Sequence, residues 1–164
     1  MSPAELDRNA LIFARTRGHS PPAERVIGAF SRTGEHAACW FGLGLTGATL
    51  SAGDRRRGWL RGTRIVAAAY AVNYAVKLTV QRRRPVLEGL EPLTPVVSGL
   101  SFPSAHATTS FAAARAFRRV APAWALYAVA TAFALSRPYL GVHYPSDVAA
   151  GAVLGTAVAE VWPA

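Results

Sequence analysis

Residues 136–147 read SRPYLGVHYPSD, a short polar break between two apolar runs at 121–136 and 148–162. Pro138 predicts the end of a helix through the first run, because proline lacks an N–H and restricts the residue before it. Pro145 predicts the first turn of the next helix, where a missing N–H costs nothing. The pattern therefore indicates two helices joined by a loop that carries charged side chains.

The polar side chains of this break suggest chemistry on an anion. Asp147 would lie in the first turn of the second helix, where the helix dipole favours a carboxylate and from where it can reach back to His143. A histidine oriented by a carboxylate and close to Arg137 is suited to act as a nucleophile or base. Taken alone, the stretch is equally compatible with a solvated loop between two helices.

Composition limits the class of protein. The chain has 164 residues, which suits a single domain spanning 1–164, and a net charge of +9. That charge permits binding of nucleic acid, an anionic membrane surface or a phosphorylated substrate. The single cysteine, Cys39, excludes a disulfide framework within the chain. Where the charges fall must decide between the three kinds of partner.

Five largely apolar runs follow one another, at 37–52, 65–80, 103–117, 121–136 and 148–162. A run of about 16 residues covers most of a hydrocarbon layer that is ~30 Å thick. Five such runs without polar faces favour a membrane protein, and a soluble bundle of buried helices is the alternative. We therefore expect an all-α fold: an integral-membrane helical bundle with about five transmembrane helices over 37–162.

The N-terminal segment 1–35 differs from the rest of the chain. Apolar residues recur there at roughly helical spacing among charged ones, which predicts two short amphipathic helices. Residues 4–17 carry five charges, and each would cost roughly 2.5–3.5 kcal/mol at a bilayer centre. We expect these helices to lie in the membrane interface on the side of the candidate site, with a soluble cap or a flexible arm as the alternative.

The distribution of arginine predicts sidedness. If the five runs cross alternately, every candidate site residue falls on one side of the membrane. The other side holds two arginine clusters, one at Arg55, Arg56, Arg57, Arg61 and Arg64 and one at Arg115, Arg118 and Arg119. The positive-inside rule makes that second side cytoplasmic. The arginines at 82–84 lie on the side of the candidate site and count against this orientation. A site that binds phosphate needs such positive charge, so we leave these three out of the count and expect an outward-facing site in a bacterial plasma membrane.

A second segment with candidate functional residues lies at the end of run 65–80. Lys77 and Arg84 are seven residues apart, which predicts nearly the same face of one helix, two turns apart. A lysine in an apolar run is costly unless it lines a polar cavity, so Lys77 is a functional candidate. A lysine that snorkels toward the interface is the alternative.

The third segment reads Pro103-Ser104-Ala105-His106. Pro103 predicts the start of a helix, which would place Ser104, Ala105 and His106 in its first turn with N–H groups free to bind an anion. The Ser104 hydroxyl adds a donor, and His106 can deliver a proton to a leaving oxygen. Ordinary helix capping would explain the serine and the proline but not the histidine.

Together the segments read Lys-x6-Arg-Pro, Pro-Ser-Ala-His and Ser-Arg-x5-His-x3-Asp, which resembles the three-part signature of the type 2 phosphatidic acid phosphatase superfamily over roughly 70–162. The resemblance implies that His143 attacks phosphorus to form a phosphohistidine, that Asp147 orients His143, and that His106 protonates the leaving alkoxide and then activates water. It implies phosphate binding by Lys77, Arg84, Ser104, Arg137 and main-chain N–H groups near Ala105, although the family often has glycine at that last position. Arginine and lysine can stabilise phosphoryl transfer without a metal, so we expect neither a metal site nor a cofactor.

The resemblance implies an integral-membrane phosphatase that removes a terminal phosphate from a lipid-linked substrate. Small size, an Arg/Ala-rich composition and the stretch Thr33-Gly34-Glu35-His36 are similar to the decaprenylphosphoryl-5-phosphoribose phosphatase group of cell-wall precursor synthesis. Polyprenyl-diphosphate or phosphatidylglycerophosphate phosphatases are the alternative enzymes, and an inactive scaffold that binds anionic lipid is the alternative from another class. A soluble acid phosphatase or haloperoxidase would not need the five apolar runs. The expected partners are a phosphorylated lipid and membrane lipids, not nucleic acid.

Overall fold

The computed structural model describes residues 1–163, which form seven α-helices and no β-strand. The helices are α1 (Pro3–Thr16), α2 (Pro21–Thr33), α3 (Ala38–Thr49), α4 (Gly53–Val80), α5 (Ala105–Phe117), α6 (Ala123–Tyr139) and α7 (Pro145–Val161). One turn of 3-10 helix, Glu35–Ala37, joins α2 to α3. The prediction of an all-α fold is confirmed.

Helix α5 is the centre of the bundle and packs against α4, α6 and α7. Most of its side chains are small and buried, so neighbouring backbones can approach closely. A Cβ on Gly155 of α7 would lie only 2.0 Å from the carbonyl oxygen of Thr108, and one on Gly151 would lie 2.6 Å from that of Ser104. This close contact places the start of α7 beside the start of α5, where two of the three sequence segments meet.

Two helix boundaries differ from the predicted ones. Helix α4 begins at Gly53, not near 65, because the charged segment before the apolar run continues the helix. Gly62 is accommodated there since it packs against Phe117, whose Cε1 would be 2.3 Å from an added Cβ. Helix α6 continues past Pro138 to Tyr139, so the prediction that it ends at Arg137 is wrong. Pro138 cannot donate to the carbonyl four residues before it, but the next turn is still closed by the N–H of Leu140, which bonds to Ser136 O at 2.9 Å.

Within residues 1–163, no helix is at once long and apolar enough to cross a membrane. Helices α3 and α5 have 12 and 13 residues. At 1.5 Å per residue they are roughly 18 and 20 Å long, against a hydrocarbon layer of ~30 Å. The expectation of about five transmembrane helices is therefore not confirmed by the helices themselves.

The two N-terminal helices pack on the bundle at the end where the loop between α6 and α7 lies. Helix α1 contacts α6 and α7, and α2 contacts α6. Leu11 is fully buried, and the buried Arg15 donates to the main-chain oxygens of Glu91 at 2.8 Å and Tyr139 at 3.2 Å. The prediction of two N-terminal helices on this side is confirmed, and their placement in a membrane interface stays a prediction.

Candidate active site

The three sequence segments converge on one cavity of about 180 Å³ at this end of the bundle. Helix α4 supplies its C-terminal end, α5 its first turn, and the α6–α7 connection its loop. Six of the eight residues predicted for the site line the cavity, namely Lys77, Arg84, Ala105, His106, Arg137 and His143. The other two, Ser104 and Asp147, are fully buried behind it.

His143 lines the cavity with its Nε2 3.2 Å from Arg84 Nη1. Since a guanidinium can only donate, Nε2 carries the lone pair and Nδ1 carries the hydrogen. Nδ1 faces Asp147 Oδ2 at 3.6 Å, which is longer than a hydrogen bond. The arrangement leaves Nε2 as the nucleophilic nitrogen.

The surroundings of His143 also favour its neutral form. Burial lowers the pKa of His143 well below its usual value, and the nearby positive charges of Arg84 and Arg137 lower it further. A neutral imidazole is the form that can attack an electrophile. The cations that would hold an anion thus also keep the candidate nucleophile unprotonated.

Asp147 is held mainly by groups other than His143. Its Oδ2 accepts the main-chain N–H of Tyr144 at 2.9 Å, and its Oδ1 accepts from Arg82 Nη1 at 2.8 Å. Arg82 also donates to Asp7 Oδ2 at 2.8 Å, which links α1 to the start of α7. Burial alone would raise the pKa of Asp7, but hydrogen bonds from Ser146 and Arg82 outweigh it, and the pKa is lowered. Asp147 therefore lies in the first turn of α7, as predicted. Its hydrogen bonds to Arg82 and Tyr144, and the link from Arg82 to Asp7, were not predicted from the sequence motif.

Three cations face the cavity without a carboxylate to neutralise them. Arg84 donates to the main-chain oxygens of Ser98 and Val142, both at 2.7 Å. Lys77 Nζ donates to Leu100 O at 3.1 Å, and Arg137 donates to a serine hydroxyl. None of these three cations forms an ion pair with an acidic side chain among residues 1–163. Their uncompensated charge makes the cavity a site for an anion.

Lys77 and Arg84 do not share one helix face, so that prediction is wrong. Helix α4 ends at Val80, and Gln81 takes a left-handed conformation with φ of 54°. The N–H of Gln81 closes the helix on Lys77 O at 3.1 Å, after which Arg83 forms an isolated antiparallel bridge with Leu100. Arg84 thus reaches the cavity from an extended segment, because the chain turns back after the cap.

Ser104 plays a different structural part from the one expected. Helix α5 begins at Ala105, so Ser104 is the residue that precedes it. Its N–H donates to Asp147 O at 3.0 Å and is not free for an anion, and its buried hydroxyl has no partner among the described residues. The placement of Ser104 in the first turn was therefore wrong. The first N–H groups of α5, at Ala105 and His106, have no helical partner.

His106 is packed between α2 and α6. Its Nε2 lies 2.9 Å from the main-chain oxygen of Ser31, and its ring is 6.1 Å from that of Phe133. Gly34 closes this side: an added Cβ would lie 2.7 Å from Phe133 Cε1 and 3.0 Å from His106 Cδ2. The absence of a side chain at Gly34 is thus a condition for the position of the His106 ring.

The mouth of the cavity carries hydrogen-bonding side chains. Glu35, His36, Tyr70 and Tyr74 line it, and His36 Nδ1 lies 2.8 Å from Tyr70 Oη. Sequence reasoning did not find Tyr70, Arg82 or Ser31 as site residues. Arg82 was visible only as one of three consecutive arginines, and Tyr70 and Ser31 carried no motif.

The chain has relatives among known proteins. A sequence model of the PAP2 superfamily matches residues 63–164. Decaprenylphosphoryl-5-phosphoribose phosphatase from Mycobacterium tuberculosis is 40% identical over 131 residues, which cover 80% of this chain and 73% of that protein. The crystal structure of LpxE from Aquifex aeolicus has a TM-score of 0.75 at 19% identity, covering 95% of this chain and 93% of that one. A transmembrane PAP2-type phosphatidylglycerolphosphate phosphatase from Bacillus subtilis has a TM-score of 0.73 at 22% identity, covering 96% and 83%. Both structures share the fold of this chain.

Proposed function

The chain belongs to the PAP2 superfamily, and on this premise we propose that it is a membrane phosphatase that hydrolyses a terminal phosphate monoester of a lipid-linked substrate. The observation that carries the proposal is the set of three cations without carboxylate partners, Lys77, Arg84 and Arg137, around the buried His143. A phosphate group would complete their hydrogen bonds and neutralise their charge. An enzyme of this kind is a phosphoric monoester hydrolase.

The proposed reaction proceeds through a phosphohistidine. His143 Nε2 attacks phosphorus, the P–N bond forms, and the P–O bond to the lipid breaks while His106 gives a proton to the leaving oxygen. Water then attacks phosphorus, His106 takes a proton from it, and the P–N bond breaks to release orthophosphate and neutral His143. The cations stabilise the charge on the equatorial oxygens in both steps, and Asp147 stabilises the positive charge that develops on His143.

The proposed membrane location is supported by the outer surface of the helices. Several large apolar side chains are exposed around the bundle, among them Leu45, Leu78, Val129, Leu135 and Val153. An exposed apolar exterior of this kind suits contact with lipid. The arginine clusters near the start of α4 and the end of α5 lie at the end opposite the cavity. The positive-inside rule then supports a cavity on the non-cytoplasmic side.

The proposed substrate is decaprenylphosphoryl-5-phosphoribose. The identity of 40% to a phosphatase named for that substrate supports it. So does the polar mouth, because Glu35, His36 and Tyr70 can hydrogen-bond sugar hydroxyls next to the phosphate. A phosphatidylglycerophosphate or polyprenyl-diphosphate substrate would offer fewer hydroxyls there.

Purified protein in detergent tests the proposal. We expect release of orthophosphate from decaprenylphosphoryl-5-phosphoribose at a higher kcat/KM than from phosphatidylglycerophosphate or decaprenyl diphosphate. His143→Ala serves as the control for contaminating phosphatases. No release from any of the three lipids would support a binding scaffold and overturn the enzymatic proposal. A preference for one of the other two lipids would overturn only the choice of substrate.

A further inference from the structure

Ser31 brings α2 into direct contact with the candidate site. It lies near the end of α2, is fully buried, and precedes residues 63–164, which match the superfamily model. It touches both His106 of α5 and Arg137 of α6. Ser31 itself lies outside the three sequence segments, so its role in the site has to be argued from these two contacts.

The side chain of Ser31 holds Arg137. Its Oγ accepts a hydrogen bond from Arg137 Nη1 and lies 3.2 Å from Ser136 Oγ. Arg137 is only 5% exposed, and its Nε is buried with no partner among the described residues. An arginine with so few partners could adopt several orientations in a cavity. The Ser31 hydroxyl restricts it to the one in which its remaining donors can meet a phosphate.

The main chain of Ser31 sets the tautomer of His106. Its carbonyl oxygen lies 2.9 Å from His106 Nε2 and can only accept a hydrogen bond, so Nε2 carries a hydrogen whether the ring is neutral or protonated. The proton that His106 can give up or take is therefore the one on Nδ1. Ser31 thus orients Arg137 and also determines that Nδ1 is the nitrogen of His106 that exchanges a proton.

We infer that Ser31 is a positioning residue of the phosphatase reaction, an inference that rests on the function proposed above. Its hydroxyl orients Arg137 toward the transferred phosphate, and its carbonyl makes Nδ1 the acid–base atom of His106. Helix α2 is thereby a part of the active site and not only a cap on the bundle.

The first test compares Ser31→Ala with Ser110→Ala. Ser110 is equally buried, and it accepts a hydrogen bond from Trp40 Nε1 at 2.9 Å in the core, so its loss is a matched structural control. We expect Ser31→Ala to raise the inhibition constant of orthophosphate and to lower kcat/KM, each by about tenfold, as for one lost hydrogen bond to a charged group. In an Arg137→Lys background the same substitution should cost much less. Equal effects of the two serine variants, or an undiminished effect in that background, would overturn the inference.

A second test needs no substitution of Ser31. Nitrogen-15 NMR of protein labelled at histidine, assigned with His106→Asn, should show His106 with hydrogen on Nε2 in its neutral form. A neutral His106 with hydrogen on Nδ1 would overturn the assignment of the acid–base atom.

Both this spectrum and orthophosphate binding by titration are independent of turnover. If the wild-type protein hydrolyses no lipid phosphate, the proposed function fails; if it does and Ser31→Ala behaves as Ser110→Ala, only the present inference fails.

Discussion

Arg82 donates a hydrogen bond to the buried carboxylate of Asp147 at 2.8 Å, which is shorter than the 3.6 Å between Asp147 and His143. The orientation of Asp147 is therefore set by Arg82 and by the N–H of Tyr144, and the carboxylate faces His143 as a result. Asp7 of α1 holds the other side of the same guanidinium. The N-terminal helix is in this way connected to the residue that would support the nucleophile.

Replacing Arg82 should impair catalysis through Asp147. We expect Arg82→Ala to lower kcat by about 10- to 100-fold, because it removes a hydrogen bond between charged groups worth roughly 1.5–3 kcal/mol. KM should change less, since Arg82 does not line the cavity. Steady-state kinetics on a lipid phosphate would measure both. The neighbouring, exposed Arg83 offers the control variant Arg83→Ala, and an equal loss of kcat there would contradict the role of Arg82.

The two histidines should differ in covalent labelling. With ³²P-labelled substrate and a quench that avoids acid, wild-type protein should carry label, and His143→Ala should carry none because the P–N bond cannot form. His106→Ala should still be labelled, at a rate that depends on the leaving group, and should lose its label slowly. Label retained by His143→Ala would exclude His143 as the nucleophile.

The pH dependence of stability should reflect His143. Its pKa is lowered in the folded protein, so at pH values below the ordinary ~6.5 the unfolded chain binds a proton that the folded one does not. Protonation therefore favours the unfolded chain. The free energy of unfolding is highest above pH ~6.5 and decreases as the pH falls toward the folded-state pKa of His143. We expect the unfolding temperature of the wild type to drop more steeply between pH 7 and 5 than that of His143→Gln. Parallel curves for the two proteins would show that His143 titrates normally in the fold.

A methyl group at position 34 should displace His106. Since an added Cβ would lie 3.0 Å from His106 Cδ2 and 2.7 Å from Phe133 Cε1, Gly34→Ala should lower kcat by about tenfold or more, as general acid–base catalysis is lost in part. Gly28→Ala in the preceding helix α2 is the control, because a Cβ added there would meet no atom within 4 Å outside the nearby helix backbone. It should leave turnover unchanged. Comparable kinetics for the two variants would indicate that the ring of His106 adapts freely.

Activity should not depend on a divalent metal. Lys77, Arg84 and Arg137 already supply the positive charge that phosphoryl transfer needs, so turnover should persist after dialysis against EDTA. Vanadate, which resembles five-coordinate phosphorus, should inhibit by binding among the same cations. Loss of activity in the chelator with recovery upon addition of one metal would refute the expectation.

Much of the site could be predicted from local spacing together with the resemblance to a known family. The spacing places Lys77, His106, Arg137 and His143 at or beside helix ends, and alternate crossing puts those ends on one side of the bundle. That these residues share one phosphate site was implied by the family resemblance, and the structure places all four around one cavity. Pro145 marked the start of α7 and thereby the position of Asp147 in its first turn. The all-α class followed from the apolar runs in the same way.

Other features were decided only by tertiary packing. Ser31 meets Arg137 across 106 residues of sequence, and Arg82 meets Asp147 across 65, so neither pair leaves a periodic signal in the chain. The left-handed cap at Gln81 redirects Arg84 into the cavity, although spacing alone predicted a continuous helix. Sequence spacing determines which side chains lie together at one helix end, because the backbone fixes the relative positions of residues only a few places apart. Which partners then hold them depends on how closely the helices approach, and that is a property of the folded packing.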